Sequence, residues 1–189
     1  MSITPNEAAA SLKEIERTGR RSASVRVYAT SSPFLMMWGV IWMIGYGVSD
    51  LAPHYADRVW IALLIAGVGG SALIGRIRAQ AGNHHPGLNR HAGLRFLACY
   101  MAFIVFVAST YALFGGARPE VQAAFIPMVV ALSYTVWGIW IGVRFLVTGI
   151  VVAALTMGGF FFLHDHFLLW MAFVGGGSLV LAGLWLKKV

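Results

Sequence analysis

Six long apolar segments dominate the sequence and limit the folds available to it. They are 16 to 20 residues long and lie between short polar stretches: Phe34–Ser49, Val59–Gly75, Phe96–Phe114, Ala123–Gly142, Phe145–Leu163 and Phe167–Leu186. An α-helix rises 1.5 Å per residue and the hydrocarbon core of a bilayer is about 30 Å thick, so the last four can cross it and the first two need a few flanking residues. Lipid offers no partners for unpaired amides, and the segments are too long for barrel strands. We therefore predict an all-α, polytopic transmembrane helical bundle of six spans.

Composition excludes a water-soluble domain. Only 11% of the residues are charged, against about 25% in typical soluble proteins, and the mean hydropathy is +0.75. The single cysteine, Cys99, lies inside an apolar segment, so no disulfide framework is expected.

The basic segment Arg76–Arg95 sets the orientation, because it carries four arginines, three histidines and no acid between two apolar segments. If the N-terminus is cytoplasmic, 12 of the 14 lysines and arginines fall on the cytoplasmic side, and only Arg58 and Arg118 fall outside. Positive residues are retained on the cytoplasmic side of membranes. We therefore expect both termini in the cytoplasm, and a bacterial inner membrane as the location.

A weak repeat supports an arrangement of three hairpins. Gly93-Leu94-Arg95-Phe96-Leu97 recurs 49 residues later as Gly142-Val143-Arg144-Phe145-Leu146, a spacing of about one helical hairpin.

The N-terminal residues 1–32 are predicted to form a cytoplasmic segment, and residues 33–189 the transmembrane domain. Thr4, Pro5 and Glu7 resemble a capping box, which predicts a short amphipathic helix that frays or stops near Gly19. The basic, serine-rich stretch that follows suits anionic lipid headgroups. It is either a juxtamembrane anchor or a docking surface for a cytoplasmic partner.

Small residues predict where helices approach closely. The candidates for helix packing are Gly67, Gly70, Ser71, Gly75, Gly176 and Gly177. Packing within the chain, a homo-oligomer interface and a flexible gating point all remain open. Trp38 and Trp42 form a heavy stripe on the first span, which indicates packing or a lipid-facing surface, with a cofactor pocket as the alternative.

A candidate cytoplasmic basic surface follows from the predicted topology. It comprises Arg17, Arg20, Arg21, Arg76, Arg78, Arg90, Arg95 and Arg144. These cations serve topology, lipid contact or a protein partner. They are not interleaved with stacking aromatic residues outside the membrane, so we do not expect nucleic acid binding.

The best candidate for a ligand site lies on the predicted outer side. Its members are Asp50, His54, Asp57, His164, Asp165 and His166. Imidazole and carboxylate ligands suit Zn²⁺, Ni²⁺ or Cu²⁺ if the two loops meet; otherwise these residues cap hairpins at the water interface. A second candidate set of metal ligands is on the predicted inner side and comprises His84, His85 and His91. Its loop is rich in asparagine, proline and glycine, which favours a solvated loop over a metal site.

Nothing in the sequence indicates catalysis. The deepest polar groups are hydroxyls, which can bond their own i−4 carbonyls, and no mid-membrane charge marks an ion pathway. No catalytic or nucleotide-binding motif occurs, and no cofactor is strongly implied. We expect a non-catalytic integral membrane subunit or regulator that contacts a partner through its cytoplasmic basic face. The first alternative is a small transporter or channel for an uncharged or apolar solute, with the outer histidines and aspartates as a candidate metal-sensitive entry. The second is a membrane enzyme with an outer-face metal.

Overall fold

The computed structural model of the protein describes residues 5–80, 102, 104–113, 116 and 118–188. Within these ranges the regular structure is helical and no strand occurs, which confirms the predicted all-α class. The α-helices are α1 (Pro5–Leu51), α2 (Ala56–Gln80), α3 (Ile104–Leu113), α4 (Pro119–Ile141), α5 (Val143–Phe162), α6 (Phe167–Trp170) and α7 (Gly177–Lys187). A π-helical stretch, Met171–Gly176, joins α6 to α7.

Five helical stretches in the described part of the chain are long and apolar enough to cross a membrane. They are Ser24–Leu51, Pro53–Arg78, Pro119–Ile141, Val143–Phe162 and His164–Lys187, the last of which we call the final span. They correspond to five of the six predicted segments and are compatible with a multi-pass membrane protein. The remaining one, Phe96–Phe114, contains the shorter α3, and the rest of it lies largely outside the described residues.

The first helix is much longer than predicted. It begins at Pro5 and runs for 47 residues to Leu51, so the prediction of a short helix ending near Gly19 is wrong. One glycine inside a helix costs only about 1 kcal/mol, which tertiary contacts can offset. One such contact is made by Ser24, whose hydroxyl donates to the Ile141 carbonyl at 2.6 Å. The helix therefore runs through the predicted boundary between residues 32 and 33. Thr4, the predicted N-cap, lies outside the described residues.

Two prolines lie inside helices, and each leaves a backbone carbonyl without its helical donor. Pro33 in α1 cannot donate to Ala29, and Pro127 in α4 cannot donate to Ala123. Side chains of other helices replace the missing donors. Arg78 Nη1 donates to the Ala29 carbonyl at 2.9 Å, and the Tyr46 hydroxyl donates to the Ala123 carbonyl at 2.8 Å.

The core lies among α1, α4, α5 and the final span. Its largest cluster of buried residues comprises Ile41, Trp42, Tyr46, Ala131, Val152, Phe167, Met171, Ala172 and Leu179. Trp42 is therefore a core residue, while Trp38 is partly buried and packs against the same cluster. Helix α2 contacts α1 but buries little of its own surface, which suits a helix facing lipid.

Small residues let α1 approach the final span closely at two levels. A Cβ atom added to Gly39 would lie 2.7 Å from the Gly176 carbonyl oxygen, and one added to Gly176 would lie 2.7 Å from the Gly39 carbonyl oxygen. Two helical turns away, the Ser32 hydroxyl donates to the Gly183 carbonyl at 2.7 Å. Ser32 and Gly39 are seven residues apart on α1, and Gly176 and Gly183 are seven apart on the final span. One face of α1 therefore packs along one face of the final span.

The other predicted packing residues divide into two groups. A Cβ atom at Gly67 would meet Trp38 and Ile41 of α1, and one at Gly70 would meet Met37. At Gly75 and Gly177 an added Cβ would meet nothing within 4 Å, and Ser71 is partly exposed.

A single residue, Gly142, connects α4 to α5. It has φ 155° and ψ 159°, which an L side chain rarely adopts. The two helices then pack directly, with Gly138 against the backbone of Leu146 and Gly149 against Thr135. The closest helix pairs are thus α4 with α5 and α1 with the final span, whereas the sequence repeat favoured pairs of consecutive spans starting from the first.

Candidate functional site

The predicted metal ligands lie at the end of the bundle where α1 ends and α2 begins. Asp50, His54 and Asp57 surround that connection, and His164, Asp165 and His166 form a 3-10 turn just before α6. All are exposed except Asp50, which is partly buried. No group of three or more His, Cys, Asp or Glu able to hold a metal ion occurs in the described ranges, which include all six residues. The arrangement lends no support to an outer metal site.

The predicted basic surface is described only in part. Arg90 and Arg95 lie outside the described residues, as do His84, His85 and His91. Arg17, Arg20 and Arg21 lie on α1, but their side chains are not among those described. Arg76 is exposed near the end of α2, and Arg78 bonds the Ala29 carbonyl.

Arg144 occupies the first turn of α5 and holds the end of α7. Its Nη1 donates to the Trp185 carbonyl at 2.7 Å, and its guanidinium lies 4.9 Å from the centre of the Trp185 ring. The last carbonyls of a helix lack helical donors and carry its partial negative charge. The Trp185 carbonyl also accepts the Lys188 amide at 3.3 Å, so Arg144 adds a second donor at this helix end. It opposes the helix dipole and makes a cation–π contact with the same residue.

Side chains of α1 complete the same end of the bundle, which we call the Arg144 end. Tyr28 is buried, with its ring 5.4 Å from that of Phe145 and 5.8 Å from the Arg144 guanidinium. Its hydroxyl lies against Gly142, so a side chain at that position would meet it. Ser24 bonds the carbonyl of Ile141, the last residue of α4. At this end of the bundle α1 therefore contacts the end of α4 and the start of α5, and the start of α5 contacts the end of α7.

Apart from the tyrosines, the buried polar side chains of the described residues are Ser32, Thr148 and Thr156. Thr148 and Thr156 donate to their own i−4 carbonyls at 2.8 Å, as predicted, and Ser32 donates to Gly183. Each hydroxyl is therefore committed to a backbone acceptor. The buried interior described by the structure is apolar and contains no charged side chain.

A groove of about 530 Å³ opens on the surface between α5 and the final span. Its lining is almost wholly apolar and includes Val151, Leu155, Phe173 and Leu181. Trp185, the residue held by Arg144, lines one end of it. The groove is open to the outside of the bundle, and its floor includes the buried Thr148, Val152 and Ala182.

Sequence reasoning missed the bonds of Tyr46, Arg78 and Ser32 to distant carbonyls. A signal was present for two of them, since a proline inside a span marks the carbonyl four residues earlier as lacking a donor. Which side chain would supply that donor depends on helix packing. Comparison of the chain with known proteins yields no matching family model, no matching curated protein and no matching solved structure.

Proposed function

We propose that this chain is a non-catalytic integral subunit or regulator of a bacterial inner-membrane assembly. In this proposal it has six spans: the five candidate spans described above and Phe96–Phe114 around α3, which is third in chain order. Both termini lie in the cytoplasm. It contacts its partner through the cytoplasmic basic face, on the projecting part of α1 and the segment that follows α2.

The apolar interior is the observation that carries the proposal. Proton- and ion-coupled carriers place ionisable groups within the membrane, and such groups mark their pathways. The buried serine and threonine hydroxyls described here, on Ser32, Thr148 and Thr156, all donate to backbone carbonyls, and no charged side chain is buried among the described residues. An interior of this kind favours a scaffold over a transport path.

The long first helix favours contact outside the membrane. The spanning part begins near Ser24, which leaves 19 helical residues from Pro5 before it. At 1.5 Å per residue these residues extend about 28 Å from the bundle, and they carry Arg17, Arg20 and Arg21. The extension thus places these three cations beyond the candidate span, within reach of a cytoplasmic protein.

Site-specific photocrosslinking in intact cells tests the partner assignment. We expect a discrete adduct from a photoreactive residue at Ser11 or Thr18, both exposed. The adduct should disappear when Arg17, Arg20 and Arg21 are all replaced by glutamine. It should persist in the matched control with exposed His54 and His164 replaced by alanine. Adducts independent of the three arginines would contradict the proposal.

Flux measurements separate this function from transport. Proteoliposomes containing the pure chain should release small uncharged solutes no faster than empty liposomes. Protein-dependent release that falls when His164 and His166 are replaced by alanine would instead support a transporter or channel with an outer entry.

A further inference from the structure

The groove between α5 and the final span has the length of one bilayer leaflet. On α5 it extends from Val147 to Leu155, and on the final span from Phe173 to Trp185. At 1.5 Å per residue these stretches measure about 12 and 18 Å. Half of a hydrocarbon core about 30 Å thick is about 15 Å. A helix of a partner protein would follow the bundle through both leaflets, whereas this groove covers only the half next to Arg144.

The Arg144 end of the groove is positively charged. Arg144 is partly exposed beside Trp185, and the exposed Lys187 and Lys188 follow Trp185 by two and three residues. The seven acids of the chain lie elsewhere: three in the first 16 residues and four at the opposite end of the bundle. Of the five N–H groups of Arg144, one donates to Trp185 within the described part of the chain. The planar guanidinium thus retains donors suited to a phosphate.

We propose that the groove binds one acyl chain of an anionic phospholipid, whose phosphodiester is held by Arg144 with Lys187 and Lys188 nearby. The chain lies along the apolar wall formed by Val151, Leu155 and Leu181, and the headgroup lies beyond Trp185. Charge complementarity at one end and the one-leaflet length identify the occupant. This site is separate from the partner surface proposed on α1.

Fluorescence quenching by brominated lipids tests the site in the full chain reconstituted in phosphatidylcholine vesicles. Bromine quenches tryptophan on contact, and Trp185 is one of seven tryptophans. We expect brominated phosphatidylglycerol to give a saturable quenching component that brominated phosphatidylcholine lacks. Trp185→Phe should remove that component. Equal quenching by the two lipids would overturn the proposal, as would a Trp185 shielded from both by a second copy of the chain.

Two glycines provide a matched test of the acyl-chain position. Gly177 lines the groove and Gly158 does not, and a Cβ atom added to either would meet nothing within 4 Å. Gly177→Leu should fill the groove and abolish the saturable component, whereas Gly158→Leu should leave it unchanged. Equal behaviour of the two variants would refute the assignment.

The headgroup contact is tested by charge removal. Arg144→Gln should lower the preference for phosphatidylglycerol over phosphatidylcholine about fivefold, as expected for loss of one cation near the surface. The exposed Arg58, at the opposite end of the bundle, serves as control, and Arg58→Gln should leave the preference unchanged. If Arg144→Gln does not fold, the lipid comparison in the natural chain and the glycine pair still decide the proposal. A folded Arg144→Gln protein with unaltered preference would overturn the role of Arg144.

Discussion

The hydroxyl of Tyr46 donates at 2.8 Å to the carbonyl of Ala123, the acceptor that Pro127 leaves without a helical donor. Arg78 does the same for Ala29, four residues before Pro33. In a bilayer no water is present to bond such carbonyls, and each unsatisfied group is costly. The two prolines are therefore compatible with spanning helices because specific side chains from neighbouring helices replace the lost donors.

A double-mutant cycle tests this compensation. Tyr46→Phe should lower the free energy of unfolding by about 1 kcal/mol, the range found for hydrogen bonds between membrane helices. In a Pro127→Ala background the cost should be smaller, because the alanine amide donates to the Ala123 carbonyl instead. Unfolding by a denaturing detergent, followed by circular dichroism, measures both costs. Equal losses in the two backgrounds would show that Tyr46 acts through packing alone.

Neighbouring glycines in the final span should respond in opposite ways to alanine. Gly176→Ala forces a methyl group against the Gly39 carbonyl of α1 and should destabilise the protein by about 1 to 3 kcal/mol. Gly177→Ala meets no atom within 4 Å and should be neutral or stabilising by up to about 1 kcal/mol. The same unfolding assay compares them. A loss at Gly177 as large as that at Gly176 would argue against a close contact between α1 and the final span.

The connection between α4 and α5 should require glycine at position 142. Gly142→Ala imposes a rarely populated backbone conformation, costing about 1 to 3 kcal/mol, and brings the new methyl group against the Tyr28 hydroxyl. Adding Tyr28→Phe should recover part of the loss by removing that oxygen. Gly47→Ala, with open space around the added Cβ, is the control. A Gly142→Ala protein as stable as the natural chain would rule out this geometry at the turn.

Accessibility of introduced cysteines tests the six-span topology. In a Cys99→Ala background, a cysteine replacing His54 or Arg118 should react with a membrane-impermeant maleimide in intact cells. A cysteine replacing Arg76 or Lys188 should react only after permeabilisation. Labelling of the Lys188 position in intact cells would contradict an even number of spans with both termini inside.

The apolar segments predicted the helical class and five of the spans because length and hydropathy alone decide whether a helix can cross lipid. They could not predict that α1 continues through Gly19, since that depends on Ser24 and Tyr28 packing on α4 and α5. Gly176 was identifiable as a packing residue, but its partner Gly39 was not. Pairing between distant helices is decided by the whole bundle, and a local pattern contains only one side of each contact.

The unbroken course of α1 gives its N-terminal end a mechanical connection to the membrane. A flexible tether would lose any rotation at the bilayer within a few residues, whereas a helix transmits it. Tilting the bundle by about 10° would swing the tip of an extension about 28 Å long sideways by about 5 Å. A small rearrangement among the helices is thereby converted into a displacement at the tip that is larger than the length of a hydrogen bond.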